Sequence, residues 1–305
     1  MANEVRVTSA GNLLAASILA KELELLLHQK PFAMDLMVFR GDTRGSGSNV
    51  IKVRQIDQDD IAETGIAEGA SVAATTDLTH ASYTLTPARI AIKRVFSDLV
   101  GIVDSTGLID EVALARYNFS AIMKGLHKLF AVATQSLTGT AGNTGVTMSA
   151  SDFFVAQQAL QLRKAKGRLI FHGHQHQFNN LQTDLRGEVG PWQLVPAVQE
   201  ALAFKGDDFK GMLNGAELWT SDQAPDAGGG TDHGGAMLVK GAIAYAQGSA
   251  KAVQMRGRLI DGGGVIYTDF DYNVDTAEEA LVSNAFFGVS VAQADMGIKV
   301  ITDHV

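Results

Sequence analysis

Eight apolar residues, Leu108, Val112, Ala115, Phe119, Ile122, Leu126, Leu129 and Ala133, recur at intervals of 4-3-4-3-4-3-4. That spacing draws one unbroken apolar stripe down an α-helix, and the two-residue period of a strand cannot produce it. Asp110 and Glu111 fall in the first turn, with Lys124 and Lys128 further along, and both placements suit the helix dipole. About 28 residues at 1.5 Å each make a rod of roughly 40 Å. A coiled coil would carry the same spacing, but the stripe ends after four heptads and has no second copy in the chain.

The stretch before the rod is different in kind. Residues 1–12 are small and polar and read as an arm, followed by an amphipathic helix pattern over Leu13–His28. Asp42-Thr-Arg-Gly-Ser-Gly-Ser48 is rich in turn formers. Val50–Ile56 alternates Ile51 and Val53 with Lys52 and Arg54, and a second alternating run extends from Ala81 to Phe96. The two runs predict an extended β-hairpin with a wide tip. An excursion of roughly 50 residues with few core-sized side chains is too long for an ordinary connection. It is expected to find its contacts outside its own subunit.

Beyond the rod, Ser149-Ala-Ser-Asp152 is a capping box that opens a helix to about Lys166, closed by Gly167. Arg168–Phe171 reads as a buried strand, Gln177–Leu185 as a helix, and Pro196–Phe204 as a helix with proline at its first position. Glu217–Thr220 reads as a strand before the loop Asp226–Gly235, and Met237–Ala246 is apolar. Ala252–Ile260 and Val265–Val274, joined by Asp261-Gly-Gly-Gly264, predict a second hairpin. Helices and strands mix without βαβ regularity, so the fold class is α+β.

Composition narrows the uses. Net charge is 25 − 33 = −8, which disfavours a broad basic face for tight nucleic-acid binding while leaving room for local basic stripes. Cysteine is absent, so disulfides, thiolate zinc sites and a cysteine nucleophile are excluded. No apolar run approaches the roughly 18–20 residues of a membrane span, and the start lacks the pattern of a secretory signal.

Candidate chemistry is sparse. His172, His174 and His176 alternate in Phe171-His-Gly-His-Gln-His176 and could present imidazoles to a metal, but a strand end turning into a helix is the preferred reading. Asp269–Asp275 imitates a calcium loop, yet Val274 stands where glycine is required and Ala280 where a glutamate belongs. The glycines from Gly228 to Gly235 could cradle a phosphate but lack the lysine of a nucleotide loop. No nucleophile elbow, zinc-protease motif or paired carboxylates stand out. The basic stripe Arg89, Lys93 and Arg94, with Lys52 and Arg54 expected on the opposing strand, is either a solvated face or a contact with a neighbouring subunit.

Arm, long β excursion, rod helix, mixed domain and closing strands follow one another in an order similar to that of the major capsid proteins of tailed bacteriophages, with their Hong-Kong-97-like fold. Arg168–Leu181 resembles the strand-to-helix passage of that family's axial domain, and Phe209–Asp222 its following strand and loop. Gly235–Ala246, Phe287-Gly-Val-Ser-Val and Gly297–Asp303 resemble later stretches of the family sequence. The resemblance implies an N-terminal arm at 1–40, an extended loop at 41–97, a peripheral domain with the spine helix at 98–165 and 247–305, and an axial domain at 166–246.

It further implies a structural, non-enzymatic protein without a cofactor. Many copies, as pentamers and hexamers, would form an icosahedral virion shell after synthesis in the host cytoplasm. A separate scaffold protein, a portal and a cement protein are its implied partners, and no membrane is involved. Packaged DNA would meet the shell weakly, through Arg116, Lys124 and Lys128 on the polar side of the rod. Some family members cross-link subunits through a loop lysine, and Lys52 is the only lysine between Pro31 and Ile92. Two other uses are an encapsulin-like compartment, with the same fold, and a metal-dependent enzyme built on the three histidines.

Overall fold

The computed structural model describes residues 32–43, 50–56, 80–97, 111–187, 195–196, 208–224, 232–248, 266–273 and 278–303. Most of the expected arm, the hairpin tip, the expected helix after Pro196 and the strand at 252–260 lie outside these residues.

In chain order the elements are α1 (Phe32–Leu36), β1 (Val38–Asp42), β2 (Ile51–Ile56), β3 (His80–Leu85), β4 (Ala88–Ser97) and the rod helix α2 (Glu111–Thr134). Then come β5 (Thr140–Ala141), α3 (Ala150–Leu162), β6 (Leu169–Gly173), α4 (Gln175–Gly187), β7 (Val195–Pro196), β8 (Phe209–Leu213) and β9 (Ala216–Thr220). The chain closes with β10 (Asp232–Val239), β11 (Ile243–Gln247), β12 (Ile266–Asn273), β13 (Glu278–Val291), a 3₁₀ turn at Ala294–Met296 and β14 (Gly297–Asp303). The class is α+β.

A seven-stranded mixed sheet, in the order β5-β14-β10-β6-β9-β8-β7, is covered on both faces. Alternation along β6 and β10 shows how. Ile170, Ala236 and Leu238 join Ile122, Leu126 and Phe130 of α2 in one core, whereas Phe171 and Met237 join Phe153 and Leu160 of α3 and Phe178 and Leu181 of α4 in the other. Burial on both sides explains why these strands read as continuous apolar runs. Each fully buried Phe or Leu contributes about 1.5–3 kcal/mol.

The second sheet centres on β13, which pairs antiparallel with β4, β11 and β12, while β1 extends it by lying parallel to β11. Helix α2 lies against this sheet too, through Leu281, Ala285 and Phe287. The rod therefore spans two sheets of its own subunit, which is the partner its stripe requires.

Several expectations are corrected. On α2, Phe130 is fully buried where the stripe predicted Leu129. A straight helix turns 3.6 residues per cycle, so a 3.5-residue pattern drifts about 20° per heptad and the core contact passes to the next residue. Helix α3 keeps its capping box, with Ser149 Oγ accepting from the Asp152 amide at 3.2 Å and Asp152 Oδ2 accepting from the Ser149 amide at 3.0 Å. It ends earlier than expected, at Lys164 in the left-handed region rather than at Gly167. Val195–Pro196 pairs with β8, and the rest of the helix expected from Pro196 lies outside the described residues.

The run from Ala81 to Phe96 is two strands. Its first half pairs with β2 as predicted, in a separate two-stranded sheet. The second half, β4, leaves the hairpin and pairs with β13 over ten residues. The break falls at Thr86-Pro87, because proline has no N–H to continue a ladder. Lys52 and Arg54 therefore face Thr84 and Ser82, not the arginines.

Sheet membership also cuts across the expected domain limits. β14, β5 and α3, expected with the peripheral domain, lie in or on the seven-stranded sheet, and β11 belongs with β13.

Candidate functional site

The hairpin base shows what the molecule offers a neighbour. Leu85, Ala244 and Ala246 form a small buried cluster to which Ile51, Val53, Tyr83 and Ala292 are added. The inward face of the hairpin thus rests on its own subunit. The outward face carries exposed Lys52, Arg54, Ser82 and Thr84, a polar and cationic strip with no core of its own. The corner is set by Gly288, where an added Cβ would lie 2.7 Å from the Thr86 carbonyl carbon and 2.8 Å from the Pro87 nitrogen. Only a residue without a side chain lets the chain turn out of β3 and into β4 so close to β13.

The predicted contact residues on β4 divide. Lys93 is exposed. Arg94 Nε donates to Asn118 Oδ1 at 2.7 Å, and the Asn118 amide donates to Ser283 Oγ at 2.8 Å. This chain of polar side chains crosses from β4 through a buried helix residue to β13. Arg89 Nε donates to Asn284 Oδ1 at 2.6 Å. The two arginines fasten the body, whereas the side chains of Lys52, Arg54 and Lys93 are exposed.

On α2, Lys124 and Lys128 are exposed, in line with exposed Ser120 and Val132. Arg116 lies on the same helix, its side chain outside the described ones. The rod thus presents one polar, cationic flank while its opposite flank fills the core.

The three predicted histidines do not converge. His172 is wholly buried on the α2 side of β6, edge-on to Phe130 with ring centroids 5.0 Å apart. Burial, together with the nearby His127, lowers its pKa to about 3, so it is neutral. His174 and His176 belong instead to a stack with His233 of β10. His174 and His233 are 3.8 Å apart at 20°, and His176 and His233 are 6.0 Å apart at 4°. Near-parallel rings confine their in-plane lone pairs to separate, nearly parallel planes, which do not meet at one ion. No group of His, Cys, Asp or Glu among the described residues is arranged to hold a metal.

The glycine loop is corrected as well, because Asp232–Gly235 is already strand. A Cβ on Gly234 would meet Gln135 Nε2 at 2.6 Å, and one on Gly235 would meet Gln177 Oε1 at 2.7 Å. These glycines admit Gln135, just past α2, and Gln177 of α4 onto the strand rather than cradling a phosphate.

Gln177 was invisible in the sequence and ties three elements together. Its amide nitrogen donates to the carbonyls of His233 at 3.0 Å and Val300 at 3.2 Å and to Thr302 Oγ1 at 2.8 Å. Its oxygen accepts from the His174 amide at 2.9 Å. A second unforeseen cluster joins α1 to the mixed sheet. Arg168 grips Glu217 with two nitrogens, one at 2.8 Å, and reaches Asp35 at 2.9 Å, while Lys240 meets Asp35 at 3.3 Å. Burial alone would raise the Asp35 pKa, but Arg168 and Lys240 more than offset it and hold the carboxyl below its ordinary value.

No protein-family profile matches the chain, and no curated protein sequence does. Solved structures do. A Mycobacterium phage Che8 structure is 15% identical, with a TM-score of 0.56 over 88% of this chain and 90% of that one. The capsid of Ralstonia phage GP4 is 11% identical, with a TM-score of 0.59 over 88% and 87%. An encapsulin complex from Synechococcus elongatus is 11% identical, with a TM-score of 0.60 over 90% and 88%. Identities this low show shared architecture, and they show it along nearly the whole of each chain: this polypeptide has the Hong-Kong-97-like shell fold.

Proposed function

We propose that the chain is a shell subunit, the major capsid protein of a tailed bacteriophage, and that it assembles into an icosahedral head around double-stranded DNA without catalysing a reaction. One observation carries the reading: the likeness to capsid structures covers nearly nine-tenths of both partners. The outward strip of the hairpin supports it, since Lys52 and Arg54, with Lys93 on β4, are exposed cations. In this reading they meet acidic surface on adjacent copies within pentamers and hexamers, joined by Arg89 and Arg94 where their internal bonds allow.

Exposed Lys124 and Lys128, with Arg116, face the packaged DNA and touch it weakly, because a net charge of −8 keeps the wall from gripping a polyanion. Residues 1–40, 41–97 and 166–246 serve as arm, extended loop and axial domain, and the rest as the peripheral domain. Of the peripheral part, β14, β5 and α3 lie in or on the seven-stranded sheet shared with the axial part. The protein is made in the host cytoplasm and resides in the virion, with scaffold, portal and cement proteins as its further partners. Electron micrographs of the purified chain, alone and with a scaffold co-expressed, test the reading. Closed, uniform particles are expected, and persistent monomers under both conditions overturn it.

The encapsulin likeness favours a second reading of the same shell, a cellular compartment holding a protein cargo. The contents of purified particles separate the two: nuclease-protected DNA marks a phage head, and a stoichiometric co-purifying protein marks a compartment.

A further inference from the structure

Helix α1 is fastened to the body at two points of different chemistry. At its start the buried Ala33 amide donates to His127 Nε2 of α2 at 3.1 Å. Two residues on, Asp35 is pinned between Arg168 and Lys240. An imidazole nitrogen can accept that hydrogen bond only while it carries no proton. We propose that His127 is a proton-operated latch: mild acid frees the start of α1 from the rod helix, while Asp35 keeps the end of α1 pinned.

The surroundings favour this behaviour. His127 is largely buried, which lowers its pKa to about 4 from the ordinary 6.5. Among the described residues, His172 of β6 couples to it electrostatically and is itself neutral. Helix α1 brings Asp35, whose charge is met by two cations, and β11 brings Tyr245, held protonated by burial. The β4 arginine Arg94 bonds Asn118 more than two turns away. β10 packs on the rod through Ala236 and Leu238 and β13 through Leu281, Ala285 and Phe287, all uncharged. Gln135, just past the rod, bonds the Gly234 carbonyl of β10, and Leu137 lies against Gly297 of β14. Lys124 and Lys128 of the rod itself point to solvent.

The signs of the two fasteners differ in pH. The undocked state takes up a proton on His127 below about 6.5, whereas the docked state resists until about 4, so docking weakens as pH falls through that window. Asp35, with its pKa lowered, stays ionised there, and its ion pairs fail only at more acid pH. If undocking fully hydrates the imidazole, the opening equilibrium rises about thirtyfold between pH 7.5 and 5.

Hydrogen–deuterium exchange on the full-length chain, read as protection factors to remove the intrinsic pH effect, tests the latch. Peptides over Phe32–Leu36 are expected to lose about thirtyfold protection between pH 7.5 and 5, while those over α3 hold theirs. His127→Gln, which keeps an acceptor but cannot titrate, is expected to reduce that loss to under about threefold. Asp35→Asn is expected to lower protection at both pH values and to keep the thirtyfold ratio. Unchanged protection in the wild type, an undiminished ratio in His127→Gln, or a ratio abolished by Asp35→Asn each overturns the proposal. The measurement is independent of whether the chain forms shells, so its failure leaves the shell reading standing.

Discussion

Lys164 ends α3 with φ at +54°, where a residue bearing a Cβ is strained, and the amide of Ala165 reaches back to the Leu160 carbonyl at 3.1 Å. Lys164→Gly removes that strain without touching a core contact, and is expected to raise stability by roughly 0.5–1 kcal/mol in urea unfolding. Gly288 is the opposite case. Gly288→Ala places a methyl against the Thr86–Pro87 backbone, which has no side-chain freedom to yield, and is expected to cost about 1–3 kcal/mol by the same measurement. Sequence showed neither requirement. A glycine after Phe287 looks like any strand glycine until the corner beside it is seen, and a lysine at a helix end looks like ordinary compensation of the helix dipole. Asn214-Gly215 is different: both residues have positive φ, and the pair closes the two-residue turn between β8 and β9. An Asn-Gly pair between apolar runs is a hairpin signal that the sequence itself contains.

Among the elements, α2 was legible because its own residues carry the period that builds it, and the capping box of α3 was legible because Ser149 and Asp152 are three residues apart. The path of β4 was not. Both halves of 81–96 alternate alike, and only pairing with β13, nearly 190 residues later at Val282↔Lys93, distinguishes the strand that joins the body from the strand that belongs to the hairpin. That difference alters which residues can test assembly. Reversing Arg89 and Arg94 would also break their bonds to Asn284 and Asn118, so a loss of particles would not separate folding from contact. Reversing Lys52, Arg54 and Lys93 to glutamate changes exposed charges alone. The subunit is expected to keep its circular dichroism and its unfolding midpoint within about 0.5 kcal/mol, while particle yield by sedimentation falls at least tenfold. Full yield would remove these cations from the contact.

For the whole molecule, the two cores meet at β6, and His172 sits between them on the side of the rod. Its pKa of about 3 in the folded chain against an ordinary 6.5 means that the unfolded chain binds a proton first. Stability is therefore complete above about pH 6.5 and declines as pH falls toward 3. Chemical denaturation at pH 7 and 4.5 is expected to show this decline, and His172→Phe, which fills the site without a titrating group, to make it shallower; an unaltered slope counts against the assignment. Length, patterning and local signals specified an α+β chain with a rod helix, an over-long β excursion and no assembled catalytic motif, because each depends on residues close together along the chain. Which strands share a sheet, which arginines are already engaged, and the stacking of His233 with two histidines some 60 residues earlier were settled only in three dimensions, since they rest on pairings between segments far apart in sequence, about which local periodicity carries no information.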